Sequence, residues 1–370
     1  VANILKVMSL HRVSDIYGPL PVLHFGETEN PYNSQEECYM HFFETLDSAI
    51  AVLKDVVENN PDAKPLEEVD ALYHGDYSKW LKLANSVKLR LAMRICYVKP
   101  DLAKQYAMEA VRDGVMETAD DSALFQSWGS ITIINPLEKI WNGYSDTRMG
   151  ASMDSYLNGY NDPRLPVYFQ PVTEGDNKGE YRGVANGMPN PQQDDYKAMS
   201  APNVQEKSTD SPLRWMMASE VAFLRAEGAM RGWTAEMGGT AEEFYNKGIE
   251  LSFLENGLSA DAAARYAADE TSKPTDFTDV SAANTKYNIS ALGKITIKWN
   301  AGASEEEQLE RIITQKWIAM FPNGTEAWSE FRRTGYPLIF PVRSNYPTSG
   351  VDTNKQIRRM VFPQSEYLSL

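Results

Sequence analysis

The segment YSKWLKLANSVKLRLAMRI (Tyr77–Ile95), followed by DLAKQYAMEAVRDG (Asp101–Gly114), gives the clearest indication of fold in this 370-residue chain. Apolar residues in the first segment recur every three or four positions, which is typical of a helix with one buried face. The second segment has small residues at Ala103, Ala107 and Ala110, so it predicts a shorter helix that packs closely against the first. A long helix, a short turn and a shorter alanine-spaced helix together resemble one tetratricopeptide unit.

Other stretches predict further helices of the same kind. The chain opens on VANILKVMSLHRV (1–13) in helical rhythm, and Gly18 predicts the end of that helix. The S-x-x-E pattern of SQEE (34–37) predicts the capped start of a second helix. A later pair is indicated by MMASEVAFLRAEGAMRGW (216–233) and AEEFYNKGIELSFLENG (241–257), whose small residues allow close packing. Stacked pairs of this kind predict a mainly α repeat scaffold.

Between and after the helix pairs the chain has a different amino-acid composition. Residues 128–212 are rich in Gly, Pro, Asn, Asp and Tyr, and 258–303 form a second irregular stretch, which predicts ordered loops with short elements. In ITIKWNAGAS (295–304) apolar and polar residues alternate as they do in a short strand. We therefore predict one domain over 1–370, with a helical scaffold at about 1–127, 213–257 and 304–335 and ligand-facing loop insertions at about 128–212 and 258–303.

Charge and cysteine content exclude some classes of function. The formal net charge is -15 and the pI is near 4.9, so binding driven by nucleic-acid phosphates or anionic lipid headgroups is disfavoured. Cys38 and Cys96 are the two cysteines, and they stand at no metal-ligand or disulfide-framework spacing. We interpret both as ordinary helical cysteines. Separately, the sequence contains no apolar run long enough for a membrane span.

The strong catalytic and phosphate-binding motifs are absent from the sequence. No GxSxG, GxxxxGK[ST], HExxH or GxGxxG pattern occurs, so we predict no catalytic residues, no bound metal and no cofactor. A glycoside hydrolase needs only two well-placed carboxylates, and 51 acids supply many pairs, so that alternative stays open. We interpret the adjacent acids Asp120 and Asp121, and likewise Asp194 and Asp195, as solvated loop residues.

Aromatic residues in the loops are the better indication of function. Trp and Tyr rings present flat faces to sugar CH groups, and neighbouring Asn, Asp and Arg side chains hydrogen-bond to hydroxyls. This combination predicts a carbohydrate-binding surface, although rings that anchor their own loops on the helices would have the same pattern. The candidate ligand-binding residues are Trp128, Trp141, Asn142, Tyr144, Tyr181, Arg182, Asp195 and Tyr196.

The charged and aromatic segment TEAWSEFRRTGYP (Thr325–Pro337) could be a site or a helix. Thr325 is a plausible N-cap, and Glu326 in the first turn suits the helix dipole. Arg332 and Arg333 fall in the last turn, where cations are favoured, and Gly335 with Pro337 would end the helix. We therefore interpret the segment as a short structural helix.

Six separated blocks, in order along nearly the whole chain, carry a family resemblance. They are HRVSDIYGPLP (11–21), GDYSKWLKLANSVKLRLAMRI (75–95), NDPRLPVYFQPV (161–172), SEVAFLRAEGAMRGW (219–233), ITQKWIAMFPNGTEAWSEFRRTGYP (313–337) and RRMVFPQSEYLSL (358–370). Together these blocks resemble the SusD/RagB family, in particular its SusD-like branch from the Bacteroidetes.

This resemblance implies a right-handed superhelical scaffold of tetratricopeptide-like helix pairs that carries loop-rich insertions. It further implies a non-enzymatic outer-membrane surface lipoprotein that binds a glycan or another nutrient over the pore of a partner TonB-dependent, SusC-like transporter. The chain starts late relative to the family, so the signal peptide, the lipid anchor and the first helices are expected to be absent from it. A carbohydrate hydrolase with an Asp/Glu pair and a repeat adaptor that binds only protein remain the alternatives, and the nutrient could also be a peptide or a cofactor.

Overall fold

A computed structural model of the chain describes residues 1–188, 193–203, 211–344 and 350–368. The predicted mainly α fold is confirmed, and two short strands pair antiparallel, β1 (Ala123–Phe125) with β2 (Leu213–Met216). The α-helices in chain order are α1 (Ala2–Tyr17), α2 (Gln35–Asn59), α3 (Tyr77–Arg94), α4 (Pro100–Arg112), α5 (Pro136–Glu138), α6 (Ala151–Gly159), α7 (Leu165–Tyr168), α8 (Gln193–Tyr196), α9 (Ala218–Met230), α10 (Thr234–Met237), α11 (Ala241–Leu254), α12 (Ala260–Ala267), α13 (Glu305–Ala319), α14 (Gly324–Thr334) and α15 (Gln364–Leu368).

The helix boundaries follow the predicted signals at several ends. Gly18 follows the last residue of α1 with a φ of 89°, a conformation that strains other residues. At the start of α2 the Ser34 hydroxyl accepts the Glu37 amide at 3.2 Å, and the Glu37 carboxylate accepts the Ser34 amide at 2.7 Å. This reciprocal capping box is the one predicted from the sequence.

Consecutive helices pack on each other in pairs. Helix α3 packs on α2 and α4, α9 packs on α11 and α13, and α3 meets α9 where the two groups join. The small residues predicted to face α3, namely Ala103, Ala107 and Ala110, are completely buried. In the second pair, a Cβ atom added at Gly248 would lie 2.7 Å from the Phe223 ring, so this close approach requires glycine.

A buried ion-pair network fastens α3, α9, α13 and α14 together. Arg90 donates to both carboxylate oxygens of Glu220 at 2.7 Å, and Arg333 binds both oxygens of Glu227. Glu330 is 2% exposed and accepts from Arg94, Arg333 and Lys316. Burial alone would raise the pKa of Glu330, but these cations outweigh burial and hold the pKa well below its usual range.

The segment Thr325–Pro337 is a helix, as predicted, but Thr325 is not its N-cap. Helix α14 starts one residue earlier, at Gly324, and Asn323 occupies the cap position without a side-chain cap bond. The Asn323 side-chain oxygen accepts from Arg12 Nη2 at 3.0 Å, so it is engaged away from the helix. Gly335 ends the helix in the left-handed conformation, with a φ of 83°.

Asp121 was predicted to be solvated, and this prediction is wrong. Its carboxylate is buried, accepts the backbone amides of Glu117 and Thr118, and pairs with Lys82 at 2.8 Å. A buried carboxylate of this kind is stabilised because every lone pair has a donor nearby. Asp120 and Asp194 are exposed, as expected.

The predicted strand within ITIKWNAGAS does not form. Ile295, Ile297 and Trp299 are all buried while the residues between them are more exposed, so the alternation correctly indicated an extended, one-sided segment. However, side chains, and not a neighbouring strand, hydrogen-bond to its backbone carbonyls. Tyr245 donates to the Ile297 carbonyl at 2.6 Å, and Arg311 donates to the Lys298 carbonyl at 3.1 Å.

The two irregular stretches pack over the helices with a small apolar cluster of their own. Met188, Tyr196, Phe277 and Phe340 belong to this cluster, which joins the first stretch to the second. The division of the chain into a scaffold and ligand-facing insertions remains a prediction.

Both cysteines are free and buried, Cys38 within α2 and Cys96 just after α3. Among the helices that the structure describes, none combines the length and the apolar character needed to cross a membrane. Within the same residues, no group of three or more His, Cys, Asp and Glu side chains is arranged to hold a metal ion.

Candidate functional site

A pocket of about 550 Å³ lies where α5, β2 and the turn between α13 and α14 come together. This volume falls within the range of small-molecule sites, and the lining combines aromatic rings with amide and guanidinium groups. The residues on which the argument below depends are Arg12, Trp141, Tyr168, Arg214, Trp215, Asn256 and Phe321.

The aromatic wall of the pocket is built from elements distant in sequence. Trp141 lies in a π-helical turn, Lys139–Gly143, which continues directly from α5. Asn135 fixes the start of α5, because its side-chain oxygen accepts the Leu137 amide at 3.0 Å. The Trp141 ring lies nearly parallel to the Phe321 ring, with 6.1 Å between centroids and 8° between planes.

Phe321, two residues after the end of α13, extends this wall because it also contacts the Tyr168 ring, with 4.8 Å between the ring centroids. Trp215 of β2 adds a further ring to the lining. Flat rings of this kind, grouped on one side of a pocket, suit the apolar face of a sugar or another planar ligand.

Arg214 supplies the most distinctive polar group of the pocket. Its Nη2 atom donates to the Asn256 side-chain oxygen at 3.0 Å, and Asn256 is held in turn by donating to the Ser252 carbonyl at 2.7 Å. The Nη1 atom of Arg214 is buried and has no hydrogen-bond partner in the described part of the chain. A buried donor without a partner costs about 1–3 kcal/mol.

Arg12 of α1 brings a second guanidinium group to the pocket. Its Nη2 atom donates to Asn323, and burial lowers the pKa of Arg12, with Arg90 lowering it further. Glu138 is the single carboxylate among the described residues that line the pocket. The described lining therefore carries two guanidinium groups and one carboxylate.

Of the predicted site residues whose side chains are described, Trp141 lines this pocket and the others lie elsewhere. Trp128 donates its indole N–H to the Glu67 carbonyl at 2.5 Å and packs against His74, with 3.5 Å between the ring centroids. Tyr144 is 60% exposed, and the Lys139 ammonium lies 5.8 Å from the centre of its ring. The side chain of Asn142 lies outside the described part of the structure.

Another group of predicted residues holds the loops to each other. Arg182 donates to the Thr278 carbonyl at 2.6 Å. Tyr196 is buried and donates to Asp279 at 3.1 Å while it accepts from Asn284 at 2.6 Å. Burial raises the pKa of Tyr196 to about 12.

These contacts have the geometry of loop anchors. The neighbouring Asp195 is exposed, and Tyr181 is partly buried against the apolar core that contains Tyr156 and Phe223. Whether any of these residues contacts a ligand remains a prediction.

The sequence did not indicate six of these pocket residues, namely Arg12, Tyr168, Arg214, Trp215, Asn256 and Phe321. Phe321 has a local signal, because it comes directly before the Pro-Asn-Gly turn. The other five carry no signal of their own, since they belong to distant parts of the chain and meet only in the folded protein.

Comparison with known proteins gives a consistent result. Residues 1–369 match a family model described as SusD-like, Susd and RagB outer membrane lipoprotein. A chitin-binding SusD homolog from Flavobacterium johnsoniae is 41% identical, with a TM-score of 0.91 over 99% of this chain and 74% of its own. None of the curated proteins compared with the chain matches it.

Two further solved structures agree. A SusD-like protein from Bacteroides thetaiotaomicron is 42% identical, with a TM-score of 0.90 over 99% of this chain and 75% of its own. A SusD homolog from Bacteroides vulgatus is 37% identical, with a TM-score of 0.91 over 99% of this chain and 73% of its own. The chain thus spans about three quarters of the length of each of these relatives.

Proposed function

The chain belongs to the SusD-like family, and from this premise we propose that it is a cell-surface protein that binds a glycan in the pocket lined by Trp141. The observation that supports the pocket most directly is that it contains both the stacked Trp141 and Phe321 rings and Arg214, whose buried Nη1 atom has no hydrogen-bond partner among the described residues. The rings would cover the apolar face of a sugar, and the guanidinium would donate to one of its oxygens.

Chitin oligosaccharides are the first ligands to test, because a relative that is 41% identical is described as chitin-binding. Isothermal titration calorimetry of the chain with chito-oligosaccharides, starch oligosaccharides and peptides would measure binding directly. We expect an oligosaccharide to bind and Trp141→Ala to weaken binding by about tenfold or more, since loss of a buried aromatic contact costs over 1 kcal/mol.

Phe25→Ala is the matched control, because Phe25 is an aromatic residue that is 87% exposed and lies outside the pocket. It should leave the affinity unchanged. Oligosaccharide binding that survives Trp141→Ala would reject the pocket and keep the glycan-binding function. A complete lack of binding across the panel would reject the function itself.

A binding role fits the pocket better than hydrolysis does. Glycoside hydrolases use two carboxyl groups on opposite sides of the scissile bond, and among the described lining residues Glu138 alone carries one. We therefore propose that the protein is not an enzyme. A reducing-sugar assay checks this: release of sugar that Glu138→Gln abolishes would show catalysis at the pocket.

We further propose that the protein acts at the outer membrane and delivers its ligand to a TonB-dependent, SusC-like transporter. The family is described as outer membrane lipoprotein, which supports this location. Affinity purification from outer membranes of the source bacterium, with the chain as bait, should recover such a transporter. Recovery of abundant porins alone, in the same amount as with an unrelated bait, would count against delivery to a transporter.

A further inference from the structure

A second pocket, of about 700 Å³, lies between α1, α2, α3 and α14, on residues that the glycan pocket does not use. Its size is also within the range of small-molecule sites. Apolar side chains form one wall, and arginine side chains from α14 and from the segment after it form another. The apolar wall consists of Met40, Ile95, Val98 and Leu102.

The adjacent residues Arg332 and Arg333 both line this pocket, but they have different partners. Arg333 is saturated, because its guanidinium binds Glu227 and Glu330 at 2.6–2.9 Å in the interior. Arg332 donates to the Ser329 hydroxyl and to the Arg358 carbonyl, and within the described residues its buried Nε atom has no hydrogen-bond partner. Arg333 therefore belongs to the interior ion-pair network, whereas Arg332 does not.

Arg332 and Arg358 hold each other at the pocket. Each guanidinium donates to the backbone carbonyl of the other residue. The Arg332 guanidinium lies 3.7 Å from the centre of the Trp328 ring, and that of Arg358 lies 6.0 Å from the centre of the Phe331 ring. Stacking on rings restricts the orientation of the guanidinium planes. The arginine side chains therefore lose little conformational entropy when an anion binds.

In the described part of the chain no carboxylate pairs with either of these arginines. Burial lowers the pKa of Arg332, and the nearby Arg94 and Arg358 lower it further, against a raising effect of Asp15. The acids of the pocket are already engaged: Asp15 with Tyr39 and Arg94, and Glu36 with Lys99 at 2.8 Å. An excess of positive charge therefore remains at one wall of a strongly acidic protein.

We propose that this pocket binds a small organic carboxylate with an apolar body. The carboxylate would accept from Arg332 and Arg358, and the apolar body would lie against the wall formed by α2, the turn between α3 and α4, and α4. Guanidinium groups bind carboxylates in a planar, two-pronged geometry, and burial of the apolar body adds to the affinity in proportion to the area covered.

Octanoate is a suitable probe, with octanamide as an uncharged ligand of the same shape. We expect isothermal titration calorimetry to show octanoate binding to the chain and octanamide binding about tenfold more weakly or undetectably, because charged hydrogen bonds contribute more than neutral ones. Arg358→Gln should weaken octanoate binding by a similar factor. Since Arg358 is exposed, this variant should fold normally.

Two controls make the test specific. Arg359→Gln removes an exposed arginine at the next position, outside the pocket, and Trp141→Ala alters the other pocket; both should leave octanoate binding unchanged. The proposal would be overturned by an absence of octanoate binding, by equal binding of octanamide, or by an equal loss of affinity in Arg359→Gln.

Discussion

Arginine is used in opposite ways in the interior of the scaffold and in the pocket beside Trp141. In the interior, Arg90 and Arg333 each meet carboxylate oxygens at hydrogen-bond distance. In the pocket, Arg214 is held by a neutral amide, and among the described residues its buried Nη1 atom has no hydrogen-bond partner. The paired arginines stabilise the arrangement of the helices, whereas a buried donor without a partner costs free energy in the folded protein.

The largest effect is expected where the interior network loses a carboxylate. Glu330→Gln leaves Arg94, Arg333 and Lys316 with too few acceptors in a buried position. Breaking a buried ion pair from one side costs about 3–5 kcal/mol, so the free energy of unfolding measured in urea should fall by that amount. Glu58→Gln, an exposed change on α2, should cost less than about 0.5 kcal/mol, and an equal loss in both variants would contradict the role of the network.

Acid should weaken the same network. The pKa of Glu330 is well below its usual range, and that of Asp15 is lowered to about 2, chiefly by Arg94 against the effect of burial. Because both pKa values are lower in the folded state, their contributions are present above the unfolded pKa near 4 and are lost as the pH falls through the folded values.

Asp15 alone should contribute about 2 kcal/mol to the free energy of unfolding near neutral pH. Burial raises the pKa of Glu255, so the effect of Glu255 on the pH dependence has the opposite sign. Urea midpoints measured from pH 7 to pH 3 should therefore fall, and should fall less steeply in Glu330→Gln. Equal slopes in the two proteins would mean that Glu330 keeps an ordinary pKa.

The scaffold was predictable because its information is local and repeated. The burial of Ala103, Ala107 and Ala110, the Ser34 capping box and the end of α14 at Gly335 follow from spacings of a few residues. Burial of Asp121 was not predictable because the distant Lys82 completes a site that the local Glu117 and Thr118 amides begin. The missing strand at 295–299 was not predictable because distant side chains bind its backbone carbonyls.

The candidate pocket shows the same limit more strongly. Trp141 was selected by its loop context, but Phe321 and Tyr168 meet it only after α7 and the end of α13 have packed together. The unpartnered state of Arg214 is a property of the folded structure, since nothing in the sequence distinguishes this arginine from one in an ion pair. The sequence thus shows which side chains are present, but it does not show which side chains contact each other or form hydrogen bonds.

An intermediate effect is expected from the pocket itself. Arg214→Gln should weaken oligosaccharide binding by about tenfold, because a charge-assisted hydrogen bond to the ligand is lost. Arg214→Lys should restore little of it, since an ammonium group keeps the charge but not the shape of the fork. Arg265→Gln, an exposed change on α12, is the control for net charge, and titration calorimetry on all three variants would measure the ranking.

The smallest effect concerns the loop tyrosines, for which anchoring and ligand binding are competing interpretations. Tyr196→Phe removes the hydroxyl that donates to Asp279, so anchoring predicts a loss of about 1 kcal/mol in the free energy of unfolding. Tyr367→Phe, an exposed change on α15, should cost almost nothing. If Tyr196→Phe instead lowers oligosaccharide affinity at unchanged stability, Tyr196 contacts the ligand, and binding extends beyond the pocket onto the loops.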